Sequence, residues 1–143
     1  MTRQELNALY DAYLENAIRA EQERKPLEGL FGFGRRASDD PCHERFAEDV
    51  EAWMKAFRES EPDSAAVREI LSWVYRAPKE YPEPQTAYWN MMAVQGFTQE
   101  LIPILNREDA QALEAEFKAT YARWERMPVQ KQILKALQAL AGQ

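Results

Sequence analysis

Gln85–Leu105 reads QTAYWNMMAVQGFTQELIPIL, twenty-one residues with one charged side chain, Glu100, in a chain that is 29% charged. A helix facing water needs a polar face, and this stretch barely has one. The expectation is a hydrophobic helix over about 86–102, wrapped on most sides by the rest of the chain. The predicted fold class follows: all-α, a single-domain orthogonal or layered bundle of about six helices around this central helix. The stretch is long enough to cross a bilayer. Gln85, Asn90, Gln95, Gln99, Glu100, Gly96 and Pro103 make that reading poor. Pro103 removes one backbone hydrogen bond and predicts a kink or an early stop.

On the N-terminal side of this run, Pro78, Pro82 and Pro84 predict an extended, stiff connector over 78–85. Before it, Asp63 or Ser64 opens a helix with a broad apolar face of Val67, Ile70, Leu71, Trp73 and Val74, and Pro78 is expected to stop it. Asp40 can cap the preceding helix, and Pro41 suits its first position. Its apolar stripe is Phe46, Val50, Trp53 and Phe57, with Glu44, Glu48, Glu51 and Lys55 facing water. The first helix begins at a Thr2/Glu5 capping box, carries Leu6, Leu9, Tyr10, Tyr13, Ala17 and Ile18 on one side, and is expected to fade near Lys25. An irregular loop is expected over 26–40. On the C-terminal side, Asn106 can cap a helix with the stripe Ala110, Leu113, Phe117, Tyr121 and Trp124. Pro128 opens the last helix, and Gly142 is a plausible stop. Glu15/Arg19 and Glu114/Lys118 are favourable pairs one helical turn apart.

At 143 residues with 45% hydrophobic and 11% aromatic side chains, one domain with a real core is expected. The net charge of −6 argues against a general nucleic-acid binder and against an anionic membrane surface. The charge is unevenly spread. Residues 37–62 hold three basic and eight acidic side chains, net −5, whereas 118–143 hold five basic and one acidic, net +4. These are either two solvated helix faces or the two sides of a polar contact, within one chain or between copies. One cysteine excludes an internal disulfide framework. The N-terminus has no apolar core of a secretory signal, so the expected location is cytoplasmic.

Two neighbouring segments hold the candidate site residues. Asp39-Asp40-Pro41-Cys42-His43-Glu44 brings the single Cys and single His to one helix start beside three carboxylates. A thiol there feels the helix dipole, which favours a thiolate. The carboxylates oppose it, and adjacent helical residues point about 100° apart, so the plainer reading is a packed thiol beside an ordinary histidine. No catalytic residue is assigned. Metal binding is not expected either, since ligands this close in sequence do not surround an ion. Glu48 and Glu51 could share a magnesium ion but lack a second acidic pair, and read as a solvated face. The Gly29–Arg36 loop places Leu30, Phe31 and Phe33 among glycines ahead of Arg35 and Arg36. The aromatics can pack inward or dock on a partner, and the arginines with backbone amides could hold an anion. On the uncharged helix, Asn90 and Gln95 could line a small polar pocket or bond neighbouring helices.

The expected function is a non-enzymatic protein-interaction or regulatory domain with no cofactor, its partner contacts drawn from Phe31, Phe33, Arg35, Arg36, Asp40, Cys42 and His43. A homodimer is the favoured assembly. The alternative is a small ligand-binding protein or enzyme sited at the Gly29–Arg36 loop and the Asp39–Glu44 helix start.

Overall fold

A computed structural model of the chain is all-α. The structure describes the backbone at 3–31, 41–80 and 84–142 and the side chains at 3–19, 44–80 and 90–142. Among these residues there are six α-helices and no strand: α1 Arg3–Phe31, α2 Pro41–Glu59, α3 Ser64–Glu80, α4 Pro84–Leu101, α5 Arg107–Thr120 and α6 Pro128–Ala141. Short 3₁₀ turns stand at Ile102–Ile104 and Arg123–Glu125. The chain divides into two compact units, 1–60 with 83–89, and 61–82 with 90–143.

The first unit is built on α1 against α2. Leu6, Tyr10, Tyr13 and Ala17 recur at helical spacing and are buried, as are Phe46, Trp53, Met54 and Phe57. Phe46 is the pivot. The Tyr13 ring stacks on it at 4.3 Å and the Tyr10 ring meets it edge-on at 4.9 Å. Burial pushes the Tyr10 phenol well above the ordinary tyrosine range. Glu44, Glu48, Glu51 and Lys55 face water as expected, and Glu15 pairs with Arg19 at 3.2 Å. α2 closes with Ser60 N–H donating to the Ala56 carbonyl, and Glu61 follows at φ 53°, a left-handed position glycine usually takes.

The second unit packs α3 on α5 and α5 on α6. Asp63 caps α3 by accepting from Ala66 N–H at 2.8 Å, and Asn106 caps α5 by accepting from Asp109 N–H at 2.8 Å. Ser64 ties the two starts together, donating to Asp109 and accepting from Asn106 N–H. Arg68 adds an ion pair to Asp109 at 3.3 Å. Val67, Leu71, Val74 and Ala77 from α3 are fully buried, as are Ala110 and Leu113 from α5 and Leu137 from α6. The Tyr75 hydroxyl shares a 3.0 Å hydrogen bond with that of Thr98 on α4. Pro128 takes the first position of α6, and Gly142 ends it with its N–H on the Gln138 carbonyl at 2.9 Å.

Three proline expectations need correction. α1 does not fade at Lys25 but runs through Pro26 to Phe31, so 26–31 is helical rather than loop. α3 runs through Pro78 to Glu80. A proline forfeits one hydrogen bond to the carbonyl four residues back. In α3 that loss is offset by the fully buried Ala77 on one side and by Lys79, anchored to Glu125, on the other. α4 starts at Pro84, with proline at the first helical position, so 78–80 and 84–85 are helical where an extended connector was expected, and 81–83 lie outside the described residues. Pro103 behaves as expected: α4 ends at Leu101 and tightens into the 3₁₀ turn.

The described part of α4 also differs from the wrapped central helix expected. Asn90, Val94, Phe97, Thr98 and Leu101 are buried along one stripe. Met92, Gly96, Gln99 and Glu100 are exposed on the other, Met92 at 46%. Freedom from charge did not require burial, because Gln and Gly face water without one.

Candidate functional site

The chain leaves α5 at Thr120, and the next helix starts at Pro128. Between them Tyr121 turns extended, at φ −119° and ψ 106°. Its side chain nevertheless continues the buried stripe of α5. The ring lies 4.9 Å from that of Phe117, and its hydroxyl donates to the Tyr75 carbonyl at 2.8 Å. Lys79 Nζ sits 5.3 Å over the same ring, a cation–π contact. Burial first, and the Glu125 charge second, push the Tyr121 phenol up to about 12.

The 3₁₀ turn that follows is held by its own side chains. Glu125 folds back so that one carboxylate oxygen accepts from Ala122 N–H at 2.6 Å and the other from Lys79 Nζ at 2.8 Å. Arg126 Nε donates to the Tyr121 carbonyl at 3.0 Å. Gln130, buried at the start of α6, accepts from Met127 N–H at 2.8 Å. These partners brace a connection that would otherwise leave backbone donors unsatisfied.

Trp124 points out. It is 87% exposed, and Met127, beside it along the turn, is 52% exposed. The α5 stripe was expected to bury Trp124 with Phe117 and Tyr121; the helix ends four residues short of it, so the helical register that would have carried the indole inward is lost. Pro128 restricts only Met127 before it and gives no sign that α5 ends at Thr120. Arg123, Lys131 and Lys135 are exposed on the turn and α6. Among the described residues no ion pair includes them, whereas Arg68, Arg76, Lys79 and Lys118 of the same unit each have a carboxylate partner.

The Lys79 contact, then the Ala122 amide, hold the Glu125 carboxyl below its ordinary value of 4.5. A depressed carboxylate strengthens the fold above the ordinary carboxylate range and loses that contribution as pH falls through the depressed value. The carboxyl carbon of Glu125, followed by NMR, is therefore expected to titrate below 4.5. Lys79→Met is expected to raise the midpoint while the Ala122 bond keeps it partly lowered. A midpoint indifferent to that substitution means the clamp is not formed in solution.

Of the residues first considered for a site, Phe33, Arg35, Arg36 and Asp40 lie outside the described residues. Phe31 ends α1, and Cys42 and His43 stand in the first turn of α2, but their side chains also lie outside the described set. Glu48 and Glu51 are exposed on α2. Asn90 is fully buried while Gln95 is partly exposed, and five residues of helix set them about 140° apart, so they do not line one pocket. Among the described residues no group of three or more His, Cys, Asp or Glu is placed to hold a metal ion, and no helix is long and apolar enough to cross a membrane. No protein-family model matches the chain, and neither curated proteins nor solved structures supply a match.

Proposed function

We propose that the chain is a non-enzymatic protein-interaction domain and that the turn at 121–127 makes the contact. The observation that carries this reading is Trp124, 87% exposed on a braced turn. A lone surface hydrophobe is ordinary. Trp124 differs in having Met127 beside it, Arg123 next to it in sequence, and a backbone fixed by side chains from α3 and α6. Trp and Arg dominate the energetics of protein contacts, and Met is enriched there. A fixed turn also reduces the ordering cost of association.

The test uses the immobilised full chain and proteins captured from a lysate. Trp124→Ala is expected to reduce the retained partner at least about tenfold, as a central anchor residue does, while the thermal transition stays unchanged. Undiminished capture by Trp124→Ala, with loss in Phe31→Ala/Phe33→Ala instead, would move the contact to the Gly29–Arg36 loop and overturn this reading.

A further inference from the structure

We infer that the partner seated on the Trp124 turn is a second copy of this chain, presenting the outward face of α2. The inference rests on the reading of that turn as a protein contact and adds the occupant. Charge complementarity carries it. Arg123, Lys131 and Lys135 form an exposed basic flank with no ion pair among the described residues. The outward face of α2 carries Glu44, Glu48 and Glu51 one turn apart and then Lys55, all exposed and net acidic, and again no ion pair among the described residues includes them. Other charged groups of the chain do pair: Glu15 with Arg19, Glu114 with Lys118, Glu125 with Lys79. Two unpaired faces of opposite sign on one chain attract between copies, and like-charged alternatives are penalised.

Ala47 and Ala52 are exposed on either side of the acidic stripe of α2. In the contact proposed, the indole lies against one side of the helix while the carboxylates meet the basic residues. Trp124 then buries its ring in the contact, and the surrounding ion pairs set register and speed of encounter more than affinity.

Sedimentation velocity on the full chain tests this. At about 0.05 M salt the wild type is expected to sediment above the monomer mass, and at about 0.5 M, where screening shortens to about 4 Å, to associate at least about tenfold more weakly. Trp124→Ala is expected to weaken association to a similar degree. Glu48→Lys/Glu51→Lys and Arg123→Glu/Lys131→Glu are each expected to be monomeric alone, with unchanged circular dichroism because all four positions are exposed. Mixed in equal amounts, the two variants should associate with each other, since each supplies the face the other needs. A wild type at monomer mass in low salt, reversals that leave association unchanged, or a mixture that stays monomeric would each overturn the inference. A monomeric wild type that still captures another protein through Trp124 removes the second copy and leaves the interaction reading standing. Loss of Trp124-dependent contact in both assays removes both.

Discussion

Phe117→Ala is expected to destabilise the second unit by about 3–5 kcal/mol, the usual range for deleting a buried phenylalanine ring. Phe117 is 1% exposed and meets two aromatic partners. Tyr75 approaches edge-on at 5.3 Å and Tyr121 lies tilted at 4.9 Å. Removing the ring leaves a void between α3 and α5 that neither tyrosine can fill without giving up another bond. Tyr121 holds the Tyr75 carbonyl through its hydroxyl, and Tyr75 shares a bond with Thr98. The loss therefore reaches the support of the Trp124 turn. Amide exchange on α3, α5 and α6 reads it, with protection falling by the same free energy. A loss below about 1 kcal/mol is the result expected of a site that collapses without a cavity, and it would remove this stack from the core.

Phe46→Ala carries the second large effect, again about 3–5 kcal/mol and confined in this reading to the first unit. The ring is the meeting point of α1 and α2: Tyr13 stacks on it with planes 19° apart, and Tyr10 meets it edge-on at 76°. Each aromatic pair adds about 0.5–1.5 kcal/mol beyond simple burial, so losing both at once is felt across the helix pair. Exchange protection along α1 and α2 is the measurement. Retained protection at Tyr10 and Tyr13 would show that the rings do not depend on Phe46.

Much of the helical plan could be read from local chemistry. Asn106 followed by Asp109, Asp63 before a broad apolar face, Pro41 and Pro128 as first residues, and the Glu114/Lys118 pair each act within one or two turns, where sequence determines what neighbours what. The misreadings share a physical cause. Pro26 and Pro78 have the local chemistry of helix breakers, yet the backbone stays helical through both, and beside Pro78 the neighbouring Ala77 is fully buried. Met54 is buried although the stripe drawn through Phe46, Val50, Trp53 and Phe57 passes it by, because a buried face is wider than one row of side chains. Glu61 gave no sign of its positive φ, since nothing in its side chain calls for that conformation. On α4, Gln99 and Gly96 show that an uncharged helix still has a wet side.

The candidate site was the least readable. Trp124 looks like one more member of an aromatic series until the helix end at Thr120 is known. Its bracing depends on Lys79 and Tyr75, which no local pattern connects to it. Phe31 through His43 are conspicuous in the sequence because unusual residues cluster there, and their side chains lie outside the described residues.

The clamp at the end of α3 has a consequence for an incomplete chain. Both Lys79–Glu125 and Tyr121–Tyr75 join residues 46 apart. The α5–α6 hairpin closes over a short loop, whereas these two ties need α3 docked and close a longer loop at a higher entropic toll. A chain clipped so that it keeps its last two helices but lacks α3 loses both ties and leaves the indole on a slack tether. The fixed geometry of the Trp124 turn is thus conditional on a helix far from it along the chain.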